Sequence, residues 1–219
     1  MPALSLLIGN KNYSSWSLRP WLVLKQSGLE FEEERVAFGS PHFAERVRAY
    51  SPAGKVPALR HGAIAVWDSL AICEYLNEAF PELRLWPRAE EPRAVARAIS
   101  AEMHSGFGAL RAQMPMNVRA SGRRVKSSPE LEADVARVTA LWRDCRERAA
   151  ARGPFLFGDF SIADAMYAPV AFRFATYGVA LGPLEAAYVE SLRRLPAMAE
   201  WAAAAAAEPE SEERYEVGR

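Results

Sequence analysis

The stretch Lys55-Val56-Pro57-Ala58-Leu59-Arg60-His61-Gly62-Ala63-Ile64-Ala65-Val66-Trp67-Asp68-Ser69-Leu70-Ala71-Ile72-Cys73-Glu74-Tyr75-Leu76 decides the fold. Two short β-favouring runs, Val56 to Leu59 and Ile64 to Trp67, flank His61-Gly62 and predict an antiparallel hairpin. Apolar residues at Leu70, Cys73 and Leu76 then recur at helical spacing, so a helix over Ser69 to Ala79 follows at once. Working backwards, Pro41 to Tyr50 reads as a short helix and Phe31 to Phe38 as a weakly alternating strand. Ahead of them, Ser17-Leu18-Arg19-Pro20 opens a helix with proline in its first turn and Gly28 as its stop. The apolar run Leu4 to Ile8 completes the order β-α-β-α-β-β-α as a buried first strand.

Working forwards, Phe80-Pro81-Glu82-Leu83-Arg84-Leu85-Trp86-Pro87 and Pro92 mark a linker, dividing the chain into residues 1–80, a connection at 81–92 and an all-helical part at 93–219. Val95, Ile99, Met103, Phe107, Leu110 and Met114 recur every three or four positions, predicting the core-facing stripe of one long helix. A second helix starts after Ser128-Pro129, with Leu131, Val135, Val138, Trp142 and Cys145 on one face. A third starts at Ser161-Ile162-Ala163-Asp164, where hydroxyl and carboxylate can satisfy free N–H groups reciprocally; its role is in folding. Leu184 to Leu195 and Met198 to Ala207 follow, and the charged tail from Glu208 is expected to fray. The basic cluster Arg119, Arg123, Arg124 and Lys126 reads as a solvated loop.

Of the 219 residues, 50% are hydrophobic and 25% charged, with 27 basic against 27 acidic side chains, the balance of a soluble globular protein. Zero net charge argues against nucleic-acid partners and against binding to an anionic membrane. Cys73 and Cys145 stand too far apart for a disulfide framework or a metal-ligand spacing, and His42, His61 and His104 have no mutual spacing for a metal or triad, so no metal is expected. The opening Met1-Pro2-Ala3 lacks a basic region and its apolar run is too short for a signal peptide or membrane span, which predicts a cytoplasmic protein.

The β-α-β-α-β-β-α order with proline opening its third strand, joined to an all-helical second half, resembles the cytosolic glutathione transferase family. That resemblance implies a thioredoxin-like α/β N-terminal domain followed by an all-α C-terminal helical bundle. It is carried by Tyr13-Ser14-Ser15-Trp16-Ser17-Leu18-Arg19, Lys55-Val56-Pro57-Ala58-Leu59, Asp68 to Leu76, and Gly158-Asp159-Phe160-Ser161-Ile162-Ala163-Asp164. The Ser-Ser-x-Ser-x-Arg pattern is similar to the serine-type zeta class, which includes maleylacetoacetate isomerases, with Trp16 where that class has cysteine. Glutathione as co-substrate, a small electrophile as second substrate and a homodimer are what the resemblance implies.

The turn after the first strand holds no thiol, so a sulfur nucleophile working there must come from the ligand. A free thiol with pKa of about 8.5 is mostly protonated at neutral pH, and lowering that value by two units needs about 2.7 kcal/mol. A serine hydroxyl donating to the thiolate contributes roughly 1.5–3 kcal/mol, and a helix N-terminus adds positive potential. By position in the zeta-like motif Ser14 is the candidate donor, with Ser15 close behind; the alternative is that these serines only cap the helix. The remaining glutathione contacts are expected at Ser17, at the extended backbone of Val56 before a cis Pro57, at Asp68 and Ser69 for the γ-glutamyl charges, and at Lys55 or His42 for the glycyl carboxylate. Met103, Phe107, Arg111, Tyr167, Phe172 and Arg173 are candidates for the electrophile pocket, and the same residues are what a helical core needs. A non-catalytic glutathione-binding or protein-interaction module of the same fold is the alternative.

Overall fold

A buried first strand organises the first half of the chain. The computed structural model describes residues 3–149 and 152–219; Met1 and Pro2, at the head of the segment weighed above as a leader, and Ala150 and Ala151 lie outside the described residues. Strand β1 (Leu4–Ile8) is almost wholly buried and sits inside a four-stranded sheet of order β2-β1-β3-β4. It pairs in parallel with β2 (Phe31–Arg35), Leu4 opposite Phe31, and antiparallel with β3 (Ala58–His61), Leu6 opposite Leu59. Strand β4 (Ile64–Trp67) closes the far edge. The hairpin is therefore present, two residues later in its first strand than expected, with Gly62 in the turn at φ 60. The predicted second strand stops at Arg35, because Val36 to Phe38 turn away to meet the loop after β1.

Helix α1 (Ser15–Ser27) carries Leu18, Trp21, Leu22 and Leu24 at zero exposure and ends at Gly28, whose φ of 72 is the left-handed stop a glycine supplies at least cost. Helix α2 (Phe43–Tyr50) lies between β2 and β3, and α3 (Ser69–Ala79) follows the hairpin. A 3₁₀ turn at Pro81–Leu83 leads into the helical half.

The long helix expected from Pro92 is two helices. Helix α4 (Glu90–Ser105) ends at Gly106, where a Cβ would lie 2.8 Å from the Glu102 carbonyl oxygen, and Phe107 turns left-handed at φ 55 before α5 (Gly108–Gln113). The apolar spacing survives the break, since Met103, Phe107, Leu110 and Met114 are all buried. Helix α6 (Pro129–Ala149) precedes α7 (Ile162–Tyr177), in which 14 of 16 residues are buried, the mark of a core helix with no solvent face. Asp164 anchors its start: Oδ2 accepts from the Ser161 N–H and hydroxyl, and Oδ1 from the Leu156 N–H and the Tyr188 hydroxyl. Helices α8 (Pro183–Arg193) and α9 (Pro196–Ala207) complete the bundle. No helix among the described residues is long and apolar enough to cross a membrane.

Helix α1 packs on α7, so one continuous core joins the two halves, and the Arg19 Nε donates across the seam to the Met166 carbonyl at 3.0 Å. Beyond α9 the chain does not fray. Residues 208–219 form a strap across the seam, because their acidic side chains meet buried donors on both halves. The Glu208 carboxylate accepts the Lys11 and Asn12 N–H groups at 2.6 and 3.0 Å; Glu210 pairs with Arg35 at 2.8 Å; Glu216 takes Tyr13, Asn117 and Arg123 at 2.8, 2.9 and 2.6 Å. The loop read as solvated is the other jaw of this clamp: Arg119 donates to the Glu208 and Glu210 carbonyls and to the Tyr13 hydroxyl.

Candidate functional site

The loop from Gly9 to Ser14 is held closed by its own residues. The Asn10 carbonyl accepts the Ser14 N–H at 2.8 Å, and the Asn10 side-chain oxygen accepts the Phe38 N–H at 2.6 Å. A Cβ on Gly9 would lie 2.7 Å from the Phe38 ring, so any larger residue here would have to displace that ring. The loop delivers Ser14 to the N-cap of α1, where its oxygen accepts the Ser17 N–H, and Ser15 to the first helical position.

Both serines face a cleft of about 630 Å³ between the two halves, within the size range of small-ligand sites. Lys55 and Val56 form one wall, Arg111 and Arg173 the other, and Phe38 and Tyr215 one end. The Ser14 hydroxyl donates to the Ser17 Oγ at 2.7 Å, and that oxygen also accepts the Gly9 N–H at 3.2 Å. Ser15 Oγ accepts from the Arg173 guanidinium at 3.2 Å. Trp16, beside them, has the Arg19 guanidinium 4.1 Å from its ring centre and that of Arg111 5.5 Å away.

This wall is strongly positive. Burial, with the neighbouring charges of Arg173 and Arg111, pushes Arg19 down to about 9, and burial pushes Arg173 down to about 10. Both stay cationic at neutral pH; Arg173 lines the cleft with Arg111, Arg214 and Lys55, while Arg19 lies behind Trp16, so the cleft favours an anion. The chain's own thiols are not rivals for that role: burial pushes Cys73 far up and Cys145 up to about 11, leaving neither as thiolate.

The Val56-Pro57 bond is cis, and neither the N–H nor the C=O of Val56 pairs with another backbone group among the described residues. Asp68, at φ 78, caps α3 by accepting the Leu70 and Ala71 N–H groups through Oδ1 at 2.9 and 3.2 Å, while Oδ2 meets His104 Nε2 at 2.7 Å. Burial alone would raise the Asp68 carboxyl, but the bonds from His104 and Ala71 outweigh it and hold it below the usual carboxylate range. Next to it Ser69 is buried, its hydroxyl without a partner among the described residues, and neither Asp68 nor Ser69 lines the cleft.

Several residues singled out from the sequence stand elsewhere. Ser17 is fully buried behind Ser14 and supports it instead of facing the cleft. His42 is 71% exposed and lies 3.7 Å from Glu45, outside the cleft. Met103, Phe107, Tyr167 and Phe172 are packed into the core, with the Tyr167 hydroxyl spent on the Ile99 carbonyl at 3.1 Å, so only Arg111 and Arg173 of the electrophile set reach the cleft wall. Their apolar spacing marks burial, not a pocket. Arg173 is moreover committed to the Arg111 and Met114 carbonyls. Phe38, Arg214 and Tyr215 line the cleft without having been anticipated. The aromatic character of Tyr215 beside an arginine was the available signal, hidden in a tail read as solvated.

Comparison with known proteins agrees with this geometry. Residues 13–79 match the family model for the glutathione S-transferase N-terminal domain, and residues 128–204 that for the C-terminal domain. Maleylacetoacetate isomerase of Rattus norvegicus is 37% identical over 99 residues, 44% of this chain and 45% of that protein. A probable maleylacetoacetate isomerase of Caenorhabditis elegans is 36% identical over 96 residues, 44% of each chain, so the chain spans under half the length of these two relatives. Among solved structures, a glutathione transferase homolog from Burkholderia gl BGR1 with bound glutathione has a TM-score of 0.69 at 25% identity, covering 94% of this chain and 98% of that one. Maleyl pyruvate isomerase, a bacterial zeta-class protein, has a TM-score of 0.70 at 24% identity over 95% and 100% of the two chains, a likeness of fold. With both of its domains matched in order and its cleft set between them, the chain belongs to the glutathione S-transferase family.

Proposed function

We propose that this chain is a glutathione transferase in which the Ser14 hydroxyl stabilises the glutathione thiolate for attack on a small electrophile, by conjugation or by glutathione-dependent isomerisation. The observation that carries this reading is the convergence on one cleft, between two domains, of a serine capping a helix, an unpaired Val56 backbone and a cationic wall. When bound, glutathione supplies the sulfur that the chain lacks. Ser14 sits on the α1 axis, where hydroxyl and helix N-terminus act on the same anion. Ser17 is its support: with the Gly9 N–H already on its oxygen, it can turn its own proton to Ser14 and release the Ser14 proton to sulfur. Val56 pairs with the cysteinyl backbone as an added strand, and Ser69, with Asp68, receives the γ-glutamyl group. Glutathione-bound relatives of the same fold and the zeta-like isomerases support the assignment.

A second reading gives the donor role to Ser15, favoured by one observation. Arg173 donates to its oxygen, and the Ser15 proton has no acceptor among the described residues. Arg111 and Arg173 form the electrophile side of the cleft in either reading. The same proposal includes residues 1–80 and 93–219 as the glutathione and electrophile domains joined at 81–92, a cytoplasmic setting, and a homodimer that would cover the exposed Ile64 and Trp67 on β4. The test is turnover of a panel of maleylacetoacetate-like, halogenated and enal electrophiles. Glutathione-dependent turnover with at least one is the expected result; binding of glutathione without turnover of any would favour the non-catalytic module instead.

A further inference from the structure

The strap places one cation where the sequence offered only Lys55 and His42. Arg214 lies in a 3₁₀ turn (Glu213–Tyr215), with its guanidinium 5.5 Å from the Phe38 ring centre and 4.8 Å from that of Tyr215. Tyr215 in turn stacks on Tyr13, ring centres 5.0 Å apart, one residue before Ser14. The turn is fixed from both sides: the Glu212 N–H donates to the Tyr13 hydroxyl at 3.2 Å, and that hydroxyl donates to Glu216 at 2.8 Å. Arg214 thus lies over the cleft beside aromatic faces, with no hydrogen-bond acceptor for its guanidinium among the described residues; the Glu212 carboxylate is 3.9 Å away, and the arginine side chain is 64% exposed.

With its γ-glutamyl group placed at Asp68 and Ser69, which do not line this cleft, a tripeptide paired with Val56 extends its other end among the residues that do, Phe38, Gly54 and Lys55 with Arg214 and Tyr215. That is the end of the cleft that the strap covers. His42 is outside it, and Lys55 lines it with an exposed side chain. We infer that Arg214 of the C-terminal strap receives the glycyl carboxylate of glutathione, so that the ligand site is completed by the last residues of the chain. A planar guanidinium backed by rings is pre-set for a carboxylate, which a lysine is not. The inference rests on the glutathione reading above.

Calorimetric titration of the full chain with glutathione and with its glycyl ethyl ester separates the two. Wild type is expected to bind glutathione about tenfold tighter than the ester, a preference that one charge-assisted pair at a half-open site supplies. In Arg214→Gln the preference disappears while affinity for the ester is unchanged; Arg214→Lys restores part of it. Loss of the preference in Lys55→Gln with retention in Arg214→Gln would overturn the inference, as would equal weakening of both ligands by Arg214→Gln. Wild type that binds glutathione and ester equally overturns this inference alone. Wild type that binds neither overturns the glutathione reading along with it.

Discussion

Glu208→Ala tests whether the strap is a working part of the molecule. The carboxylate is 7% exposed, and its two oxygens accept the N–H groups of Lys11 and Asn12, themselves 7% and 0% exposed. Truncation leaves both donors without a partner, at about 1–3 kcal/mol each. It also removes the acid opposite Arg35 at 3.4 Å, a small loss because the arginine, one-third exposed, keeps the closer Glu210 at 2.8 Å. Water entering the vacated space offsets part of the loss, so the net destabilisation is about 3 kcal/mol, a large share of the roughly 5–15 kcal/mol that holds a domain folded. For a chain of this size that lowers Tm by roughly 6–12 °C. Glu208→Gln keeps one acceptor oxygen and is expected to lose about half as much. Urea unfolding with unchanged m-value gives the free energy, and hydrogen exchange at the Lys11 and Asn12 amides reports the local opening. An Ala variant within about 0.5 kcal/mol of wild type, with both amides still protected, would refute the clamp.

Two further outcomes follow from buried polar groups. Burial raises Asp164 from the ordinary carboxylate range to about 6 despite four donors, so its folded pKa lies above the unfolded value. Its contribution is therefore greatest below about pH 4 and is lost as pH rises through about 6, roughly 3 kcal/mol in all. Tm measured at pH 5 and pH 7.5 should show the larger acid-side gain in wild type and a flatter profile in Asp164→Asn; identical profiles would contradict this. Arg173→Met strands the Met114 and Arg111 carbonyls and the Ser15 oxygen, and is expected to cost about 3 kcal/mol in urea unfolding while raising the pKa of bound glutathione thiol. A stable variant with an unaltered thiol pKa would show that the cationic wall has no part in the chemistry.

Local signals carried most of the fold. The hairpin, the Gly28 stop and the Ser161-to-Asp164 cap each depend on neighbours a few residues apart; the stop and the cap are where the sequence places them, and the hairpin is present with its first strand two residues later. Spacing could not reveal the break at Gly106, because Phe107, Leu110 and Met114 keep facing the same core after the turn. The strap was illegible for a different reason. Glu208, Glu210 and Glu216 read as solvated charges until the fold brings them Lys11, Arg35 and Arg123, from 93 to 197 positions away. Of the residues named for the electrophile pocket, Arg111, beside the helical stripe, and Arg173, on the helix after Ser161, line the cleft, whereas Met103 and Tyr167 on the apolar faces are buried in the core.

The central claim is that one alcohol at the start of α1 keeps a borrowed sulfur ionised, and ultraviolet thiolate absorbance of protein-bound glutathione against pH measures that directly. Wild type is expected to hold the thiol about two units below its free value of roughly 8.5, Ser14→Ala to return it most of the way, and Ser15→Ala to move it by less than about half a unit. A wild-type pKa preserved in Ser14→Ala would contradict the account, and its loss in Ser15→Ala alone would transfer the role to the neighbouring serine.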